Sequence, residues 1–286
     1  MKKALLSVNL AVLLFGLAGL FAKWIQLPAI AITFGRVFFS SIALGLFMLA
    51  GKRSFRLDSR RDLWMLLCAG AILALHWWSF LASIQRSTVA IGTITFSSFP
   101  LFVTFLEPLV FRRRLSGKNV VFALIILLGV IVTVPEFSAG SRMPAGIALG
   151  MLSSFCYAVL TVMNKGFAGR YAGTVTAFYE QTAAAVVLLP FVLGTQMRPS
   201  VSDLGLLLFL GVVTTAAAHT LFISSLKRLP AQLAGLCSSM ETVYGILFAF
   251  LLLGEVPSLR EILGACIIIG AVIAAQLTDP RAADPA

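Results

Sequence analysis

The sequence predicts an all-α integral membrane protein with ten transmembrane helices in two inverted five-helix repeats. Three observations carry this. Of 286 residues, 59% are hydrophobic and only 12% charged, and the mean hydropathy is +1.00. The apolar residues fall into ten runs separated by short charged or turn-rich breaks. The second five runs repeat the first five in order, at a near-constant offset. A helix needs roughly 20 apolar residues to cross a bilayer core, so ten spans use about 200 residues and leave no room for a soluble domain.

The predicted spans are 4–23, 29–50, 63–85, 89–111, 119–134, 145–165, 174–194, 204–226, 231–253 and 261–277. The breaks contain the basic stretch from Gly51 to Asp62, the triplet Arg112-Arg113-Arg114, the segment from Pro135 to Pro144, Met197-Arg198-Pro199, and Gly254 to Pro257. The opening Met-Lys-Lys followed by an apolar run imitates a secretory signal. Its apolar stretch is too long and lacks a small-residue cleavage site, so it is taken as the first span. Cys68, Cys156, Cys237 and Cys266 lie inside apolar runs with no CxxC spacing, and read as packing residues rather than a disulfide or metal framework.

The net charge of +11 would point to nucleic acid in a soluble protein. Here the bases sit in short loops, and cytoplasmic loops collect Lys and Arg. With the N-terminus inside, sixteen of the 22 Lys and Arg are cytoplasmic, five are external, and Arg36 lies within a helix. Both termini are therefore expected in the cytoplasm of a bacterial-type cell, with the chain in the inner membrane. The lipid bilayer is the expected large partner, and nucleic acid is not.

The repeat sets the domain plan: 1–134 for the first unit, 145–277 for the second, and a cytoplasmic tail over 278–286. An offset of 141 places Ser97-Ser98 on Ser238-Ser239, Leu106 on Leu247 and Gly129 on Gly270. Offsets of 142 and 144 place Phe15 on Tyr157 and Arg36 on Glu180. Each unit has an odd number of helices, so the second enters the membrane upside down. Inverted repeats characterise many secondary transporters, whose sites lie near the midplane between repeats.

Polar side chains in lipid turn toward protein or water. Thr93, Ser97, Pro100, Thr104 and Glu107 share one face of the fourth span, and Ala234, Ser238, Glu241 and Gly245 share the matching face of the ninth. Such a seam lines a path or packs helices closely, since small residues serve both ends. Ser154, Tyr157, Thr161 and Asn164 recur at helical spacing in the sixth span, and Thr215, His219 and Phe222 in the eighth. His76-Trp77-Trp78 and Phe80 fall in the third. Aromatic walls with a few polar handles suit a ring-shaped substrate. Trp24 and Trp64, near span ends, read as interfacial belt residues.

A charge at a helix centre costs roughly 2.5–3.5 kcal/mol on insertion scales. The candidates are Arg36, Glu107, Glu180 and Glu241. Glu107 lies near the Arg112 cluster and reads as an interfacial ion-pair group or a coupling site. Arg36 pairs within the bundle, snorkels outward or grips a substrate carboxylate. Glu241, half-way along its span, is the strongest functional candidate, for a substrate amino group or a proton. Two histidines with no third ligand make a poor metal site, so neither a metal nor a cofactor is expected.

The run Met240-Glu241-Thr242-Val243, then Leu251-Leu252-Leu253-Gly254-Glu255, Gly264 and Gly270, resembles the second-repeat signature of EamA-type proteins in the drug/metabolite transporter superfamily. Pro100, Glu107-Pro108, Arg114-Leu115 and Gly129 resemble a degraded first copy. Within the superfamily the chain is most similar to the ten-helix aromatic amino acid exporters of the YddG type. The departure is Arg113-Arg114 where the second repeat has Gly254-Glu255. The resemblance implies an inner-membrane exporter of small metabolites, aromatic or bulky neutral amino acids foremost, working by alternating access. The residues then expected at the substrate are His76, Trp77, Trp78, Ser97, Phe99, Tyr157, Thr161, Glu180, His219, Ser238, Glu241 and Tyr244. Proton coupling and transport by the substrate gradient alone both stay open. A broad exporter of drugs or nucleobase-like compounds is the alternative. An intramembrane transferase is disfavoured, because no GxSxG, HExxH, DxD or phosphate loop is present and no enzyme activity is expected.

Overall fold

The structure, a computed structural model, describes residues 2–112, 114–133, 143–195, 199–254 and 256–278. The predicted loop positions Arg113, Arg142, Arg198 and Glu255, and the tail with Arg281, lie outside the described residues.

All regular structure among the described residues is helical. The chain runs α1 (Lys2–Ala18), α2 (Phe21–Trp24), α3 (Ala29–Ala50), α4 (Arg60–Arg86), α5 (Val89–Phe96), α6 (Phe99–Phe111) and α7 (Gly117–Thr133). It continues with α8 (Met143–Phe167), α9 (Gly173–Leu193), α10 (Val201–Gly211), a π-helical segment (Val212–Ala217), α11 (Ala218–Ser225), α12 (Ala231–Ser238), α13 (Met240–Leu253) and α14 (Leu259–Thr278). Among the described residues, eight continuous or near-continuous helices are long and apolar enough to cross a membrane, and the stretches Gly117–Gly129 and Ile262–Thr278 are shorter apolar helices.

Local chemistry sets the helix ends. Ser59 accepts the Asp62 N–H at 3.1 Å to start α4, and Thr88 accepts the Ile91 N–H at 3.1 Å to start α5. Ser200 and Asp203 form a reciprocal capping box at α10. Pro28 stops the chain from continuing α2 into α3. Helices α6 and α13 both end in a left-handed residue, Arg112 at φ 50° and Gly254 at φ 71°.

Two predicted spans are broken where the sequence has paired serines. The fourth divides at Ser97-Ser98 into α5 and α6, and the ninth divides at Ser239 into α12 and α13. Three of these hydroxyls bond back to carbonyls of the preceding turn: Ser97 to Thr93 O at 3.0 Å, Ser98 to Thr95 O at 2.8 Å and Ser238 to Ala234 O at 3.0 Å. The eighth span contains the π-helical segment, where Thr215 Oγ1 donates to Leu210 O at 2.7 Å, five residues back.

The helices surround a large buried apolar cluster that includes Phe15, Trp77, Phe99, Tyr157 and Phe222, and a small second one of Leu44, Ala177, Ala216 and Ile223. The most extensive packing joins α4 to α8, α7 to α14, and α9 to both α3 and α4. At the α4–α9 crossing, a Cβ on Gly70 would lie 2.5 Å from Ala183 Cβ and 2.6 Å from Glu180 O, so only glycine permits this approach. The outer surface exposes large apolar side chains such as Leu46, Leu109, Phe191 and Leu193.

The two left-handed C-caps give a matched test. A side chain in this conformation costs roughly 1–2 kcal/mol relative to glycine. Gly254→Ala should lower the thermal midpoint of the detergent-purified protein, and Arg112→Gly should raise it. Unfolding followed by circular dichroism reads both; a rise with Gly254→Ala would contradict the assignment.

Candidate functional site

The helix breaks place polar side chains at the centre of the bundle. Ser97 Oγ meets Thr242 Oγ1 across the α5–α13 contact, and Thr93 O, 3.1 Å from Thr242 Oγ1, is the alternative acceptor for the Thr242 hydroxyl proton. Next to this bridge lies a central cavity lined by Phe15 and Ala18 from α1, Arg36 from α3, His76, Trp77 and Phe80 from α4, Phe96 from α5, Tyr157 from α8 and Glu241 from α13. Its volume is about 20 Å³, room for about one water molecule.

Arg36 is 1% exposed. Its Nε donates to Thr215 Oγ1 at 3.1 Å, and its guanidinium carbon lies 3.9 Å above the Trp77 ring. The π-helical segment matters here, because it turns Thr215 toward α3. Among the described residues no carboxylate reaches ion-pair distance of Arg36. An indole face and one hydroxyl satisfy this cation only in part, and its fork stays available to an anion.

Glu241 stands in the first turn of α13, directly after the break, where the helix N-terminus favours a carboxylate. Tyr157 is the aromatic hub: its ring centroid lies 4.6 Å from His76, 5.1 Å from Phe99 and 5.5 Å from both Phe96 and Phe222. His76 Nδ1 sits 3.0 Å from Ser153 O and 2.8 Å from Ser153 Oγ, so α8 fixes the ring orientation. Tyr157 Oη and Thr161 Oγ1 are buried without a hydrogen-bond partner among the described residues.

Arg36, His76, Trp77, Phe80, Tyr157 and Glu241 therefore meet at one cavity, and Trp78, Ser97, Phe99, Thr161, Glu180, His219, Ser238 and Tyr244 do not line it. Trp78 points away from Trp77, as neighbours on a helix must. It faces an apolar crevice of about 520 Å³ with Ile30, Leu75, Val187, Leu188 and Phe191. Phe99 packs behind Phe96 with ring centroids 5.3 Å apart. Ser97 and Ser238 spend their hydroxyls on the break geometry, and Thr161 lies one turn of α8 beyond Tyr157. Tyr244 packs its Cβ against Gly16 of α1 and is half-buried. Glu180 and His219 lie behind Trp77, bonded to each other at 2.8 Å, and Trp77 rather than Trp78 meets the His219 ring, at 5.7 Å.

Glu107 has a structural role that its sequence position did not suggest. Its Oε1 and Oε2 accept the backbone N–H groups of Ala231 and Gln232, at 3.1 and 2.8 Å, and so cap the start of α12. Pro230, which precedes α12, offers no side-chain cap, so the cap comes from another helix.

Sequence reasoning missed Phe15 and Phe96 as wall residues. Phe15 had a signal, since it is the repeat counterpart of Tyr157, and the two rings lie 6.5 Å apart. Phe96 had none beyond its place directly before the break. Among the described residues no three His, Cys, Asp or Glu side chains come together.

A family model described as the EamA-like transporter family matches the chain twice, over residues 2–134 and 144–275. The chain belongs to the EamA-like transporter family. This EamA transporter is 26% identical to the uncharacterized inner membrane transporter YicL of Salmonella typhimurium, covering 99% of this chain and 98% of that one. It is 24% identical to the uncharacterized transporter YxxF of Bacillus subtilis, over 93% and 86% of the two chains. It is also 23% identical to an S-adenosylmethionine uptake transporter of Rickettsia bellii, over 87% and 84%. A crystal structure of a protein with 20% identity shares the fold, with a TM-score of 0.79 over 99% of this chain and 100% of that one. The EamA transporter is thus a multi-pass membrane protein. The likeness to aromatic amino acid exporters rests on residues alone, since these relatives carry no such name.

The cap by Glu107 predicts a stability effect apart from transport. Glu107→Ala leaves two buried N–H groups unpaired and should cost about 1–3 kcal/mol. Glu107→Gln, which keeps one acceptor, should cost less. Thermal midpoints of the purified variants check the order; equal midpoints for Glu107→Ala and the parent would remove the cap.

Proposed function

We propose that this EamA transporter carries small zwitterionic metabolites bearing an aromatic or bulky group, amino acids foremost, by alternating access through the central cavity. The observation that carries it is the placing of Arg36 and Glu241 on one aromatic-lined cavity. The guanidinium grips the substrate carboxylate, and Glu241 takes the amino group. Trp77, His76 and Tyr157 flank the side group. A neutral aliphatic cavity would hold the side group equally well but would lack the two charged anchors, which recognise the shared end of every amino acid.

The ten-helix inverted architecture is part of the same proposal, and two observations support it. The family model matches each half separately. The helix packing is also consistent under exchange of the halves: α4 packs on α8 as the π segment and α11 pack on α1, and α5 and α6 pack on α8 as α12 and α13 pack on α1. Breaks at matching positions in two halves point to a midplane site. A cavity of about 20 Å³ admits no amino acid, so binding requires the halves to part. In this reading both termini are cytoplasmic.

A carrier of this kind runs either way, and gradients set the direction. Export is what the aromatic-exporter resemblance implies. The Rickettsia bellii relative, named for S-adenosylmethionine uptake, favours a second reading. S-adenosylmethionine ends in the same amino and carboxylate groups, so Arg36 and Glu241 would hold it too, with adenine on the aromatic wall.

Counterflow in reconstituted vesicles separates these readings. Labelled phenylalanine, tryptophan and S-adenosylmethionine are loaded in turn and exchanged against unlabelled compound. At least one should exchange, and Arg36→Lys and Glu241→Gln should each cut the rate roughly tenfold or more, the usual loss for a charged hydrogen bond. Movement of cationic dyes with no exchange of any of the three compounds would sink the zwitterion reading.

A further inference from the structure

We propose that the Glu180–His219 pair is a proton-binding site linked through Trp77 to the substrate site, so that a proton and the anionic end of the substrate occupy the transporter together. This rests on Arg36 as the carboxylate anchor.

His219 Nε2 lies 2.8 Å from Glu180 Oε2, and neither side chain is exposed. The His219 ring stands edge-on to Trp77 at 5.7 Å, and Arg36 covers the same indole at 3.9 Å. Guanidinium, indole, imidazole and carboxylate thus form one continuous row from the cavity wall into the α9–α11 packing. The elements around the pair contribute Arg36 from α3, His76 from α4 and Tyr157 from α8, while Glu241 of α13 closes the cavity and α1 presents Phe15. Ser153 already engages His76.

Charge counting shows what a proton on the pair changes. With Glu180 and Glu241 ionised, Arg36 balances only one carboxylate. A proton on the pair, as imidazolium against carboxylate, brings the four side chains to net neutrality. The pair also has unused hydrogen-bonding capacity. Glu180 Oε1 and His219 Nδ1 have no partner among the described residues, nor do Thr176 Oγ1 and Thr220 Oγ1. Thr176 stands one turn from Glu180 toward the start of α9 at Gly173, about 10 Å away along the axis. Buried polar atoms of this kind call for a partner, and a proton shared within the pair supplies one.

The linkage follows from the row. While Arg36 is empty, its positive charge repels a proton on His219 across the indole. A substrate carboxylate on Arg36 quenches that repulsion, so the pair holds its proton more tightly. Reciprocity makes the proton tighten the substrate by the same factor. In the transport step the proton comes from water on one side, adds to the imidazole and returns to water on the other; no other bond changes. An inward proton gradient then drives uptake, which fits the second reading of direction.

The test uses the full chain in vesicles with a trapped pH dye, and as probe whichever of phenylalanine, tryptophan and S-adenosylmethionine exchanges in counterflow. In the parent protein a substrate gradient should move protons in the same direction as substrate, and apparent affinity should rise about tenfold on acidification, within the usual span of such couplings. Glu180→Gln, His219→Gln and the double variant should keep exchange at equal pH but lose proton movement and the pH dependence. Parent exchange without proton movement, protons moving opposite to substrate, or proton movement surviving in the double variant would each overturn the proposal. If a variant does not fold, the parent flux still decides. Absence of exchange in the parent overturns the anchor reading first, and this one with it.

Discussion

A guanidinium buried at the centre of an apolar bundle is the constraint on which the rest of the site depends. Arg36 cannot snorkel, because it is closed over at 1% exposure. It is held by an indole face and a single hydroxyl instead of a carboxylate. Those contacts stabilise the charge without neutralising it. Each depends on another element: Trp77 must stand on the inner face of α4, and Thr215 must be turned inward by the π-helical segment of the eighth span. Gly70 then brings α4 close enough to α9 for Glu180 to sit on the far side of Trp77.

Backbone hydrogen bonding imposes a second constraint. In lipid, irregular backbone is tolerated only where protein or a cavity covers it. The breaks at Ser97-Ser98 and Ser239 lie in the buried interior, and the π-helical segment buries Thr214, Thr215 and Ala216. Serine and threonine hydroxyls bond the neighbouring carbonyls there, and Glu107 supplies the two N–H groups at the start of α12 with acceptors. Polar side chains therefore maintain the breaks, and the breaks deliver Glu241 to a helix start beside the cavity.

Aromatic packing fills the space that a substrate would need. Tyr157 touches His76, Phe96, Phe99 and Phe222 at once, so the cavity shrinks to about 20 Å³. Rings from α1, α4, α5, α8 and α11 interdigitate, and any opening must separate them. Such contacts are stiff and shape-specific, so they suit a movement between discrete packed arrangements rather than gradual swelling.

The sequence by itself determined the helical membrane class, the positions of the apolar runs, the paired serines at the two breaks and the polar and aromatic residue types that line the cavity. Those features are local: run length, residue polarity and offset are written along the chain. It also marked Arg36, Glu180 and Glu241 as costly charges needing partners. Only the tertiary structure decided which partners they have. Trp77 and Trp78 are adjacent and chemically alike, and only α4's rotation against its neighbours sends one to the cavity and the other to an outer crevice. Glu107, read from its neighbours as an ion-pair or coupling group, also caps a helix 124 residues away. His219 and Glu180, 39 residues apart, meet because α9 and α11 pack together, and Arg36 finds Thr215 across 179 residues. Side-chain direction and long-range contact depend on how whole helices rotate and cross, and no single segment of the chain encodes that.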